Sequence, residues 1–141
     1  MDIKVDRFIK EQSNLTLCTS VNDVPHCANC FYVYLSEEHV LVFKSSDKTK
    51  HILNAMSNNR IAGTIVPDIR AAGTIKGIQF SGHFSSAQGD LLAKAKHIYY
   101  GKNPMALLMK GELWTIKLTE VKMTDNTLGL GNRITWVSED N

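Results

Sequence analysis

The chain has 141 residues, 43% hydrophobic and 21% charged, which fits one globular domain over residues 1–141 with a real core. A formal net charge of +2 is too small to favour nucleic acid or an anionic membrane, and no apolar run approaches the roughly 20 residues of a membrane span. Three cysteines, an odd number, do not make a secreted disulfide framework, and the charged start MDIKVDRFIKEQ is not a signal peptide, so a cytoplasmic protein is expected.

Val5, Phe8 and Ile9 follow helical spacing and predict a short amphipathic helix over the first dozen residues. LTLCTS then reads as a strand, VNDVP as a turn marked by Asn22, Asp23 and Pro25, and ANCFYVYL as a second strand rich in aromatic and β-branched residues. SEEH turns the chain into VLVFK, the return strand of a hairpin. Ile52, Leu53 and Met56 give a helical stripe that SNN ends, and RIAGTIV is the next strand. After the loop PDIRAAG, TIKGIQFSGHF alternates, with Ile78, Phe80 and Phe84 on one face and Gln79, Ser81 and His83 on the other. Gly77 and Gly82 mark a bend or bulge in that strand.

Leu91, Leu92, Ala95, Ile98 and Tyr99 predict a second helix, with Ser85 and Gln88 as its capping box and Gly101 as its stop. NPMALLMKG holds one more helical turn. LWTIKLTEVKM is the last long strand, with Trp114, Ile116 and Leu118 on one face, and TDNTLGLGNRITWV is a glycine-rich loop with a candidate terminal strand. Six or seven strands thus outnumber two or three short helices, and most strands follow one another directly. That order predicts a mainly β protein, an antiparallel barrel with peripheral helices, and not a doubly wound parallel sheet.

One stretch, FKSSDKTKH at Phe43–His51, carries a chemical question. The strand should end near Lys44 and the helix begin near Asp47 or Lys48, and Ser45, Ser46 and Asp47 are all good N-cap residues. A helix N-terminus, with the hydroxyls of Ser45, Ser46 and Thr49 and the ammonium of Lys50, fits a phosphate. Taken alone, the same residues fit a capped helix with solvated lysines better, and Asp47 counts against a phosphate unless it points away. The glycines of a Walker loop are missing.

Other constellations are weaker. Cys27 and Cys30 in HCANC have C-x-x-C spacing, but on a strand residues three apart point to opposite faces, so packed thiols are expected rather than a redox pair or a zinc site. His26, His39, His51, His83 and His97 are scattered, and only His51 stands beside the phosphate candidate. LGLGNR lacks the third glycine of a dinucleotide fingerprint. Trp114 and Trp136 are core or interface residues that could also lie against a flat ligand.

Five segments in this order resemble a known family: CANCFY at Cys27–Tyr32, KTKH at Lys48–His51, GIQFSG at Gly77–Gly82, the W-x-I-x-L run at Trp114–Leu118, and KMTDNTLGLGNRITW at Lys122–Trp136. Together they resemble the FMN-binding split β-barrel of the pyridoxamine 5′-phosphate oxidase-like superfamily, in a poorly characterised small bacterial branch. The resemblance spans nearly the whole chain. It implies a homodimer with two FMN sites at the subunit interface and the flavin phosphate at Ser45, Ser46, Thr49, Lys50 and His51. It places the isoalloxazine ring along Asn29, Cys30 and Phe31. It assigns Gln79 to the flavin or its ribityl chain, and Asn126 and Trp136 to the flavin of the partner subunit.

The implied activity is that of an FMN-dependent oxidoreductase, with a non-enzymatic flavin-binding, storage or sensing module as the alternative. The C-terminus GNRITWVSEDN has Arg133 but no neighbouring histidine, so it lacks the arginine–histidine motif by which true pyridoxamine phosphate oxidases grip their substrate. Vitamin B6 oxidation is therefore not expected. An oligonucleotide-binding barrel is disfavoured by the small charge and the lack of interleaved basic and aromatic residues.

Overall fold

A computed structural model describes residues 1–129 and 132–140. Helix α1 (Ile3–Glu11) precedes β1 (Asn14–Val21), β2 (Val24–Leu35) and β3 (Val40–Ser45); α2 (Lys50–Ser57) leads to β4 (Arg60–Ile65) and β5 (Lys76–Ser86); α3 (Gly89–Lys102) and a 3₁₀ turn (Pro104–Leu108) lead to β6 (Glu112–Asp125) and β7 (Arg133–Val137). The strands form one antiparallel sheet in the order β3-β2-β1-β4-β5-β6-β7, and β3 also pairs with β6, so six strands close a ring. The long strand β6 runs against β5 on one edge. Its other edge is shared, Glu112–Lys117 by β3 and Glu120–Thr124 by β7. This is the antiparallel barrel with peripheral helices that the strand pattern predicts, and the split barrel that the resemblance implies. Among the described residues no helix is long and apolar enough to cross a membrane.

Alternation decides what each strand buries. Leu15, Leu17, Tyr32, Tyr34, Leu41, Phe43, Ile78, Phe80, Trp114, Ile116 and Leu118 fill the ring, and α1 adds Val5, Phe8 and Ile9 to the same core. The Tyr32 hydroxyl donates to the Ile9 carbonyl at 2.6 Å, which fastens the end of α1 to β2. The opposite faces of β2 and β3, Val33, Leu35, Val40 and Val42, are also apolar and pack under Ala95 and Tyr99 of α3. That is why the end of β2, Tyr32–Leu35, and the start of β3, Val40–Phe43, read as continuous apolar runs: each is covered on both sides.

Several local expectations are corrected. The first turn is only Asn22–Asp23, both with positive φ (52° and 62°), and β2 starts at Val24. Two such residues make the mirror-image turn that suits strand twist. Helix α2 starts at Lys50, not near Asp47, because the Ser46 hydroxyl accepts the Lys48 backbone N–H at 3.2 Å and holds a separate turn first. Its buried stripe is Ile52 and Ala55, while Leu53 and Met56 face outward. No capping box opens α3: Gln88 donates to the Ser86 hydroxyl, and the Ser85 hydroxyl bonds that of Thr115. The helix also runs through Gly101 to Lys102, and the Asn103 side chain donates to the Tyr99 carbonyl.

The register does shift beside Gly82, between Ser81 and Gly82, but the extra residue, Thr119, is on β6, and Gly77 keeps regular register. The candidate terminal strand is β7, and the glycine-rich loop before it is described only through Gly129, since Leu130 and Gly131 lie outside the described residues.

Candidate functional site

At the end of β3 the chain turns sharply into α2. The Ser45 hydroxyl lies 2.8 Å from His51 Nε2 and 3.3 Å from Thr49 Oγ1, both in hydrogen bonds. The Thr49 hydroxyl donates to the Ser46 carbonyl at 2.9 Å, so it does not cap the helix that Thr49 begins. Among the described residues no side chain caps the N-terminus of α2, and its first-turn N–H groups carry the positive end of the peptide dipoles. The Trp114 indole N–H donates to the Ser45 carbonyl at 2.9 Å, and Trp114 itself stacks on Phe84 with centroids 5.2 Å apart. The corner is thus anchored to the core. Gly111 crosses above it with φ 141°, and a Cβ there would stand 3.0 Å from the Ser45 carbonyl carbon. Only glycine lets the chain entering β6 pass so close.

This corner forms one end of a cavity of about 610 Å³, within the range of small-molecule sites. β2 supplies Asn29, Cys30 and Phe31; the corner supplies Ser45, Ser46 and His51; the end of α3 and the 3₁₀ turn supply Tyr99, Lys102, Asn103, Met105 and Met109. Six residues chosen from sequence therefore meet in one cavity. Lys44 and Lys102 bring positive charge to its wall, while Asp47 is exposed and does not line it. Lys44 Nζ donates to the Ala106 carbonyl at 2.7 Å and sits over the Tyr100 ring, which ties the 3₁₀ turn to β3. Phe31, Met105 and Met109 stay 64%, 72% and 68% exposed, an open apolar rim.

Other sequence candidates lie elsewhere. Lys50 is exposed at the start of α2, and Thr49 supports the corner through its hydrogen bonds without lining the cavity. Gln79 is exposed on the outer face of the sheet, in one cross-strand row with Asn29: Asn29 pairs with Thr16, Thr16 with Thr64, and Thr64 with Gln79. Three strand spacings, roughly 14 Å, separate Gln79 from Asn29, so Gln79 does not reach the cavity. Asn126, just after β6, is occupied by the β4–β5 loop, accepting from the Ile75 N–H at 2.8 Å and donating to the Gly73 carbonyl at 3.2 Å. Trp136 is half-buried on the core with His39 edge-on at 4.7 Å. The wall from Tyr99 to Met109 was not chosen from sequence. Its one signal was an apolar segment, MALLM, too short to bury a stripe.

Burial sets the protonation of the site. His51 is held below the usual imidazole range, first by burial and then by the charge of His26, so it is neutral at pH 7. The Cys30 thiol is pushed up to about 11 by burial and is not a thiolate. His39 is likewise lowered, mainly by burial. For both histidines the folded value lies below the unfolded one. The unfolded chain then binds more protons, and stability is lost as pH falls below about 6.5. Denaturant unfolding at pH 7.5 and 5.5 should show a less stable protein at the lower pH, with a slope of at most about 1.4 kcal/mol per pH unit for each imidazole. Replacing both histidines by glutamine should flatten that slope.

No family model matches the chain. In solved structures it is similar to a heme-binding protein from Mycobacterium smegmatis, with TM-score 0.80 and 17% identity over 97% of this chain and 59% of that one. It is also similar to a FAD-binding protein from Mesorhizobium loti, with TM-score 0.69 and 14% identity over 89% of this chain and 95% of that one. Both likenesses are of fold. In sequence, a UPF0306 protein of Photorhabdus laumondii is 39% identical over 132 residues, which cover 94% of this chain and 92% of that protein. At that identity and near-complete mutual coverage, the chain belongs to the UPF0306 family.

Proposed function

We propose that the chain is an FMN-binding flavoprotein, an oxidoreductase that works as a homodimer with flavin at the subunit interface. One observation carries this reading: the uncapped N-terminus of α2, with the Ser45, Ser46 and His51 side chains, stands at one end of a cavity whose other walls are largely apolar. A ligand with a phosphate at one end and a flat apolar body matches that polarity. The phosphate goes to the corner, with Lys50 as a flexible counter-charge. The ring goes along Asn29, Cys30 and Phe31, where main-chain groups bond its polar edge. Similarity in fold to FAD-binding and heme-binding proteins supports a flat cofactor. Flavin fits better than heme here, because His51 Nε2 is engaged with the Ser45 hydroxyl and is not free as an axial ligand.

Bound flavin supplies hydride and electron transfer, and the protein binds, orients and shields it. The neutral thiol of Cys30 and the neutral His51 put no full charge beside the ring. The exposed rim of Phe31, Met105 and Met109 is covered by the second copy, which keeps water from the ring. Gln79 acts, in this reading, on the partner's flavin.

Purified protein incubated with FMN and freed of excess should keep flavin absorbance near 450 nm (an approximate value for any flavin) and elute as a dimer. Reduction of that flavin by NADH or NADPH would distinguish an enzyme from a flavin store. A protein that retains no FMN, or a flavin-saturated monomer, overturns the reading.

A further inference from the structure

Cys18 and Cys27 lie 9 positions apart in sequence, yet their sulfurs are 3.3 Å apart, one hydrogen-bonding the other. They are direct cross-strand partners in the β1–β2 hairpin. Counting from the two-residue turn fixes the kind of pair. Val21 and Val24 close the turn as a hydrogen-bonded pair, Ser20 and Pro25 follow as a non-bonded one, as proline's missing N–H requires, and Cys18 and Cys27 are the next non-bonded pair. Such pairs hold their Cα atoms about 4.5 Å apart, inside the span of about 4.4–6.8 Å that disulfides bridge. The sulfurs need only side-chain rotation to meet.

Access differs between the two. Cys27 is exposed and Cys18 is half-buried at the edge of a second, polar cavity with Arg60, His83 and Glu120. Cys30, which shares the C-x-x-C spacing, is buried on the opposite face of β2, facing the barrel core.

We propose that Cys18 and Cys27 form a reversible dithiol–disulfide site, oxidised by small-molecule disulfides of the glutathione class. Cys27, the exposed thiol, loses its proton and attacks one sulfur of the small disulfide. That S–S bond breaks, one small thiolate leaves and takes up a proton, and a mixed disulfide stands on Cys27. Cys18 then attacks the Cys27 sulfur, the Cys18–Cys27 bond forms, and the second small thiol departs with the proton Cys18 gives up. Two protein thiols are oxidised by two electrons and one disulfide is reduced to two thiols. Burial and the hydrogen bond with Cys27 push Cys18 up to about 11, which leaves the first attack on the small disulfide to the exposed Cys27. The site is independent of whether flavin binds.

The test uses the full-length reduced protein. After incubation with oxidised glutathione and removal of excess, thiols titrated under denaturing conditions should fall from three to one, and dithiothreitol should restore all three. Peptide mapping should find Cys18 joined to Cys27. The Cys30→Ser variant should fall from two thiols to none. Cys18→Ser should stop at a stable glutathione adduct on Cys27. Three persistent thiols, a lasting adduct on the unsubstituted protein, a Cys27–Cys30 bond or a bond between chains each overturns the proposal.

Discussion

Replacing Ser46 by aspartate should weaken FMN binding about hundredfold, roughly 2.7 kcal/mol, and leave riboflavin within about threefold. The substitution is chosen because it preserves the local structure. Ser46 accepts the Lys48 backbone N–H, and an aspartate at that position makes the same turn with its carboxylate. The corner should therefore fold as before, with a full negative charge added where the phosphate would sit. Two like charges roughly 5 Å apart at an effective dielectric near 20 repel by about 3 kcal/mol. Riboflavin, which has the ring and ribityl chain but no phosphate, does not meet that repulsion. Titration of both flavins by fluorescence at one ionic strength reads the difference, with Ser46→Ala as the neutral control. Equal losses for the two ligands, or an unchanged FMN affinity, would place the phosphate elsewhere.

What the sequence revealed followed from periodicity. Alternation in TIKGIQFSGHF and LWTIKLTEVKM located β5 and β6, and the 3.6-residue pattern of Val5, Phe8 and Ile9 located α1, because each buries one face against a single core. Helix ends were less legible. Ser46 and Ser85 looked like caps, but each hydroxyl is taken by a nearer partner, Lys48 N–H and Thr115. A serine that can satisfy a turn or a neighbouring strand does not reveal in sequence which it chooses.

The site was half visible for a related reason. Its β2 and corner residues sit in segments with recognisable chemistry, whereas Met105 lies in a 3₁₀ turn and Met109 just after it, with no periodicity to read. The thiol pair was hidden by its own spacing. C-x-x-C drew attention to Cys27 and Cys30, which face opposite ways, and only the hairpin register joins Cys27 to Cys18.

Gly63→Ala should be the most damaging single substitution among the small ones, at about 3 kcal/mol or more. Gly63 lies inside β4, paired with Leu17 of β1 and Phe80 of β5. A Cβ there would stand 2.3 Å from Phe80 Cζ and 2.3 Å from the Thr16 carbonyl oxygen. The ring tip could turn aside at some cost, but the carbonyl belongs to a strand held on both edges, by β2 and β4. For that reason Phe80→Leu should rescue less than half of the loss. The melting temperature should drop by about 10 °C, with the denaturant m-value unchanged. Gly101→Ala supplies the opposite sign from the same chemistry, since that glycine lies within α3 with nothing near its missing Cβ, and alanine there should stabilise by about 0.5 kcal/mol. A Gly63→Ala protein within about 1 kcal/mol of the original would mean that β1 and β4 can separate freely. That outcome also bears on the site: β1 carries Thr16, whose hydroxyl meets the Asn29 side chain at 3.3 Å. A barrel that yields at Gly63 could not hold the Asn29 strand in place for a flat ligand, whereas a rigid one couples the loss of stability to a loss of flavin affinity.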